Sequence, residues 1–408
     1  MKKGYLSEYF EGVAVKTLSK VDADCSSSNQ HEIGTTKAMR EFLEEEHQKK
    51  FHTTYLWFGG EQEGFSVDDY STHYDTRIGK EDRPPEWRLY YRNNPVTDCM
   101  NQGDTLFLAK RRNDHLLFVV APAGSSIESQ LLWLFGYSNQ PELKFSARSY
   151  SADEGAEIDF TARFLLDELG IEFEDPNANS IDTIIDRFGF QFPKTREFSD
   201  LARLTLPEVD VSEDPDLAII AWLDHEEAMF RRLERRIVSA RIEEGFVDQG
   251  EVDVDGFLSF SLSVQNRRKS RMGLSFEHHL AAVFDAWSIE YTKGAKTERN
   301  NTPDFLFPGE TAYFQDDFPN DHLSMLGAKS VCKERWRQIL PEADRIEAKH
   351  LVTLEPAISA AQTDQMAAHL VQLVVPNSIQ SSYTVEQRNW LWSLRDFVDH
   401  VKRLERLP

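Results

Sequence analysis

The hydrophobic rhythm of the chain changes once along its length, and that change constrains the fold more than any single residue. Up to about residue 145 the apolar residues come in short runs. Segments 14–18, 53–58, 87–91, 105–109 and 116–120 are β-branched or aromatic, and Gly, Asn, Asp and Pro separate them. Such runs predict short strands of a small barrel or sandwich, interrupted by helices over 37–48 and 126–135. From about residue 183 the period lengthens. Segment 217–245 carries apolar residues at helical spacing with Glu and Arg partners, which predicts a long amphipathic helix ending at Gly245. Helices over 255–263 and 273–287 follow. Strand-like segments 303–308, 324–331, 351–354 and 371–376 then alternate with helices over 334–349, 359–369 and 384–404, the pattern of an α/β core around a mixed sheet.

Two rhythms in 408 residues predict a multidomain chain, because one compact core rarely grows so large. The expected division is a β-rich N-terminal domain over 1–174, with a helix near 159–169, and an α/β domain over 183–408. A linker over 175–182 joins them, where Asp175-Pro176-Asn177-Ala178-Asn179-Ser180 has turn chemistry and no hydrophobic period. No run approaches the length of a membrane span, so none is predicted. The N-terminus has two lysines but no apolar stretch behind them, unlike a secretory signal. Three scattered cysteines, Cys25, Cys99 and Cys332, fit a reducing compartment, so a cytoplasmic location is expected. No paired spacing supports a zinc site built from Cys25, His31 and Cys99. His52 and His115 border the strand runs and are expected to be solvated loop residues.

The net charge of −23 argues against a protein that coats a nucleic acid, yet Lys and Arg gather in 77–92, 110–112, 267–271 and 329–337. Local patches decide phosphate contact. The run Arg267-Arg268-Lys269-Ser270-Arg271 is the densest of them. Three further residues suggest what chemistry accompanies such a patch. Asp304 follows Thr302-Pro303, Lys329 closes Met325-Leu326-Gly327-Ala328, and Glu342 follows Pro341. A lysine inside an apolar run is costly unless it is paired or works. Two carboxylates and a lysine can hold a divalent cation and help activate water, which is the minimal equipment for cutting a phosphodiester. The usual pattern puts an acid two residues before the lysine. Here that position is Gly327, so Glu342, expected on the following helix, is the acid that can fold back over the strand end. Mg²⁺ takes one or two carboxylates, which makes Asp304 and Glu342 its expected ligands, with Lys329 orienting water or stabilising charge on phosphorus. Glu277 is a possible fourth member. Each has a plainer alternative: Pro-Asp is a common turn, and Glu277 and Glu342 suit solvated helix faces. In Lys333-Glu334-Arg335-Trp336-Arg337, arginine can read guanine and a carboxylate can accept from cytosine. The same run also suits an intrahelical ion-pair stripe with Trp336 in the core.

From about 260 to 377 the chain resembles the EcoRII-type restriction endonucleases. The resemblance is carried by Ser263-Val264-Gln265-Asn266 through Arg271-Met272-Gly273, by Pro303-Asp304-Phe305-Leu306-Phe307-Pro308, by Ala328-Lys329 through Cys332-Lys333-Glu334-Arg335-Trp336-Arg337-Gln338-Ile339-Leu340, and by Leu373-Val374-Val375-Pro376. It implies a variant PD-(D/E)XK nuclease whose second carboxylate has moved from the strand to the helix. Asp304, Lys329 and Glu342 become the catalytic set, with Tyr313 where the family places a tyrosine near the site. Lys333, Glu334 and Arg335 fall on the segment that reads C·G pairs in relatives that cut CC/GG sites. Pro341 departs from the family pattern and is expected to influence where Glu342 points. The N-terminal half more faintly resembles the family's effector domain, a DNA-binding pseudobarrel, through 18–34 and 87–94. Its two arms imply DNA contacts at Lys20, Asn29, His31, Lys37, Arg83, Arg88, Arg92 and Asn94. The resemblance implies a homodimeric, Mg²⁺-dependent type II endonuclease for duplex DNA at a CC…GG-type site, autoinhibited until effector DNA binds. The alternatives are a nuclease that senses methylcytosine, and a noncatalytic DNA-binding regulator.

Overall fold

The structure is a computed structural model that describes residues 5–23, 31–46, 48–59, 64–79, 82–137, 141–150, 158–171, 178–248 and 250–406. It divides into two compact units, Lys3–Ile171 with Ala357–Ser359, and Glu172–Pro356 with Ala360–Pro408.

In the first unit, β1 (Phe10–Thr17), β2 (Glu32–Gly34), β3 (Gln48–Trp57), β4 (Phe65–Asp75), β5 (Trp87–Tyr91), β6 (Thr105–Arg111), β7 (His115–Ala121) and β8 (Ser146–Ser149) form one sheet. Its strand order is β2-β5-β4-β3-β7-β6-β1-β8. Only β3 and β7 run parallel; the other pairings are antiparallel. Strands β6 and β7 are buried almost throughout, as their continuous apolar runs require. Helices α1 (Lys20–Ala23), α2 (Lys37–Leu43), α3 (Ser126–Leu134) and α4 (Phe160–Glu168) complete the unit. The core joins Met39, Phe42 and Leu43 of α2 to Phe51, Tyr55, Tyr91, Leu106, Leu108 and Phe118 of the sheet. Gly12 permits this: a Cβ there would stand 2.3 Å from the Phe42 ring.

All five strand runs expected in this half are strands. The helix expected over 37–48 is shorter. Thr36 caps it, and Glu44 takes a left-handed φ of 66° that turns the chain toward β3. His52 and His115 are not loop residues. His52 lies within β3, His115 opens β7, and the two are register partners.

In the second unit, helices α5 (Ala178–Ile185), α6 (Thr195–Leu204), α7 (Pro215–Glu244) and α8 (Val254–Ala286) lead into the sheet, with a two-strand ribbon of β9 (Val247–Asp248) and β10 (Glu251–Val252) between α7 and α8. Helix α5 begins at Ala178, inside the segment expected to be a linker. Pro215 at its first position and the Asp214 side chain start α7, and Gly245, with φ 76°, ends it. The two helices expected after it are one continuous helix, α8. Strands β11 (Thr292–Lys293), β12 (Phe305–Phe307), β13 (Ser324–Lys329), β14 (Lys349–Thr353) and β15 (Val371–Val374) follow in spatial order. The first three are antiparallel and the last three parallel, so the sheet is mixed. Helices α9 (Glu310–Phe314), α10 (Ala360–Ala368), α11 (Asn377–Gln380), α12 (Val385–Arg388) and α13 (Leu394–Leu404) complete the unit. No helix among the described residues is long and apolar enough to cross a membrane.

One expected element does not form. Residues 334–349 are not an α-helix: a 3₁₀ segment, Lys333–Ile339, gives way to turns that run into β14. Pro341 has no N–H to donate to a helix, and Ala343 adopts a left-handed φ of 49°.

Candidate active site

The sheet brings the two halves of the candidate site together. Asp304 stands immediately before β12, and Lys329 is the last residue of β13. The two strands pair antiparallel with Phe305 opposite Leu326. Asp304 Oδ2 accepts from the Ala328 backbone N–H at 2.7 Å and from Lys329 Nζ at 2.8 Å. The Asp304 and Lys329 side chains keep 18% and 22% of their surface, so both remain partly accessible at the sheet end. A lysine in an apolar strand is thus paired, as its cost requires.

Glu342 arrives on a loop, not on a helix. Its Oε2 is buried and has no hydrogen-bond partner. Burial, reinforced by the Asp304 charge, pushes the Glu342 carboxyl up to about 7 against the opposing pull of Lys329 and Lys349. Once ionised, a carboxylate oxygen without a donor, electrostatically coupled to a second carboxylate, suits a hard divalent cation. Gly327 explains why the acid is not on the strand. A Cβ at Gly327 would lie 2.7 Å from Ile339 Cγ2 and 3.4 Å from Leu351 Cδ1. The 3₁₀ segment packs directly on the strand backbone, and that position holds no side chain.

The Glu342 loop is held at nearly every residue by groups from outside it. Asn301 Nδ2 donates to the Pro341 carbonyl at 2.6 Å. The N–H groups of Ala343, Asp344 and Arg345 donate to Thr297 Oγ1 at 3.3 Å, Glu298 Oε2 at 3.1 Å and the Tyr313 hydroxyl at 3.2 Å. Buried Lys349, the first residue of β14, donates Nζ to the carbonyls of Glu342, Ala343 and Ile346. Burial lowers the Lys349 ammonium from its ordinary range. Arg345 in turn fixes Asn320 and the carbonyls of Tyr313, Gln315 and Phe318. Apart from Tyr313, these anchors did not stand out in the sequence. The one available signal was a lysine opening an apolar strand at Lys349.

The remaining expected site residues divide. Tyr313 is fully buried, and its hydroxyl donates to Glu298. Burial, then the Glu298 charge, pushes its phenol up to about 12. Its contacts support the Glu342 loop. Glu277 is committed to an ion pair with Lys293 at 3.1 Å. The basic run is not one exposed patch, because α8 turns part of it inward. Arg271 is buried, with a guanidinium nitrogen 3.0 Å from buried Glu226 Oε1 and a second ion pair to Glu227. It is unsuited to phosphate contact. Arg268 grips Glu234 through Nε at 2.7 and 2.9 Å. Arg267 is exposed and lies over the Phe192 ring, and the Lys269 side chain lies outside the described residues.

On the 3₁₀ segment Arg335 and Arg337 are exposed, Arg337 reaching Gln365 Oε1 at 2.7 Å, and Trp336 is buried. The Lys333 and Glu334 side chains lie outside the described residues. In the first unit, Lys20, Lys37, Arg83 and Arg92 are exposed. Asn94 is buried instead: its Oδ1 accepts from the N–H groups of Val96 and Thr97, a local turn that removes it from any DNA surface. Arg88 is partly buried against Glu86 and Glu32. His31 is partly buried, and its Nδ1 has no partner. Asn29 lies outside the described residues.

Residues 230–398 match the family model described as EcoRII C terminal. A curated relative, the type II restriction enzyme EcoRII of Escherichia coli, is 40% identical over 194 residues, 47% of each chain. The chain therefore matches about half the length of that relative. Among solved structures, metal-depleted Ecl18kI in complex with uncleaved, modified DNA covers 56% of this chain and 85% of its own, at 19% identity and a TM-score of 0.43. A PspGI–substrate DNA complex covers 52% and 93%, at 14% identity and a TM-score of 0.42.

Proposed function

Taking residues 230–398 as an EcoRII-type C-terminal domain, we propose that the chain is a Mg²⁺-dependent, type II site-specific endonuclease for duplex DNA. The observation that carries this reading is the pairing of Lys329 with Asp304 beside the unpartnered oxygen of Glu342. Asp304 and Glu342 would hold the cation, and bound there it supplies positive charge to a phosphate undergoing cleavage. Asp304 keeps Lys329 oriented at the sheet end, where the ammonium can donate to a phosphate oxygen or an attacking water. Glu342 holds a proton near neutral pH when no cation is present and gives it up to become a ligand.

The substrate is a short CC…GG-type site, read by the Lys333-Glu334-Arg335 segment on the pattern of the resembled family. A twofold site calls for a homodimer. The exposed apolar residues Val254, Phe257, Leu258 and Leu262 near the start of α8 favour such an interface, because they recur on one side of the helix. The first unit is a DNA-binding effector domain of the pseudobarrel kind, with Lys20, Lys37, Arg83 and Arg92 as its phosphate contacts, and it restrains cleavage until a second DNA copy binds. A cytoplasmic location follows from the substrate.

Plasmid digestion with Mg²⁺, followed by runoff sequencing of the fragments, tests the reading. Asp304→Ala and Lys329→Ala are expected to lower cleavage by about 10²–10³-fold or more while specific binding is retained. Cleavage that survives both changes refutes the assignment. Added uncleavable duplex carrying the site raises the rate if the effector role is right.

A further inference from the structure

In the first unit, three potential metal ligands converge away from the core. Strand alternation turns Phe51, Thr53 and Tyr55 of β3 inward, which leaves His52 and Thr54 on the opposite face. His115 of β7 is the register partner of His52, and Asp68 of β4 is the partner of Thr54. The ligating atoms of His52, Asp68 and His115 all lie within 4.8 Å of one another. The two Nδ1 atoms are 3.1 Å apart, close to the edge of a coordination shell with metal–nitrogen bonds of about 2.0–2.1 Å.

The hydrogen bonds fix which nitrogen is available. The Thr54 hydroxyl donates its one proton to Asp68 Oδ1, because an ionised carboxylate can only accept. Thr54 Oγ1 also lies 2.8 Å from His115 Nε2, so it accepts from Nε2–H. His115 is therefore the Nε2–H tautomer, and its Nδ1 lone pair faces His52. An imidazole whose far nitrogen donates into a hydroxyl–carboxylate relay, with the lone pair of its near nitrogen facing the second imidazole, is arranged like a metal ligand oriented by its second shell.

We propose that this face of β4, β3 and β7 binds one borderline divalent transition cation of the Zn²⁺ class, through His52, His115 and Asp68, with water completing the shell. Two imidazoles and one carboxylate select such an ion over Mg²⁺, which prefers an all-oxygen shell. Binding requires the His52 Nδ1 proton, which otherwise points at His115 Nδ1, to move to Nε2 of the same ring, and it ties three adjacent strands together. This site is independent of the nuclease reading.

The test is calorimetric titration of the full chain, freed of metal by chelation, with Zn²⁺ in excess Mg²⁺ so that oxygen-rich sites are already filled. One saturable equivalent is expected. His52→Ala and His115→Ala should each weaken it at least ~10-fold, and Thr54→Val should weaken it by about 10-fold through loss of the relay. His369→Ala, at an exposed histidine of the other unit, should leave it unchanged. Thermal melts confirm that each variant is folded, and Zn²⁺ should raise the melting temperature of the parent but not of His52→Ala. Absence of a saturable equivalent in the parent overturns the site, as does undiminished affinity in folded His52→Ala and His115→Ala.

Discussion

Replacing Glu342 by glutamine should stabilise the metal-free protein, although it removes a group proposed as a ligand. The carboxyl moves from an ordinary 4.5 to about 7 on folding. At about 1.4 kcal/mol per unit, that displacement sets a ceiling of ~3 kcal/mol. Glu342 keeps partial solvent access, which screens the penalty to about 1–2 kcal/mol. The sign follows from proton linkage. Below the unfolded value both states carry the proton and nothing is lost. As pH rises from 4.5 toward 7 the unfolded chain ionises first, so the parent loses stability until the folded carboxyl also ionises. In chelator at pH 8, Glu342→Gln should therefore melt about 2–8 °C above the parent, a gap that closes near pH 4.5. Differential scanning fluorimetry at both pH values reads this directly. Mg²⁺ should then raise the parent's melting temperature and leave the variant's unchanged. A variant that is less stable than the parent at pH 8, or a gap that ignores pH, refutes the claim that a buried, unpartnered charge sits at Glu342.

Lys349→Met should take the ammonium donor from three loop carbonyls, of which that of Ala343 keeps the Ile346 N–H, and cost about 2–4 kcal/mol. If its role is to place Glu342, the variant's cleavage should need a higher Mg²⁺ concentration, visible in the metal dependence of the rate. Gly327→Ala should destabilise by about 1–3 kcal/mol in thermal melts, because its Cβ meets Ile339. For the same reason Gly327→Asp should fail to restore cleavage to Glu342→Gln.

The sequence made some of this site visible and hid the rest for identifiable reasons. Lys329 stood out because an apolar strand has no use for an idle ammonium, and the structure pairs it with Asp304. The strands β6 and β7 were visible because buried strands are continuously apolar. Strand β4 was not, since Asp68, Asp69, Ser71 and Thr72 leave it no apolar run to notice; pairing with β3 and β5 determines it. The helix expected around Glu342 failed at Pro341 and Ala343, where local backbone chemistry outweighed helix-forming neighbours. Arg271 looked like part of a solvated patch because its partner Glu226 lies 45 residues away, on a different helix. Lys349 stayed hidden for a related reason: a bond to a backbone carbonyl leaves no complementary side chain for a reader of the sequence to notice.

Under the proposed function, the contact at Gly327 bears on how cutting and reading would be registered. The strand backbone that ends in Lys329 and the 3₁₀ segment that carries Arg335 and Arg337 are separated by the width of a single isoleucine side chain. With no intervening residue to compress, close packing sets the spacing between the strand end proposed to face phosphate and the arginines proposed to face bases. Any enlargement at position 327 or 339 lengthens that spacing, and its first symptom would be a shift in where the strand breaks relative to the bases being read.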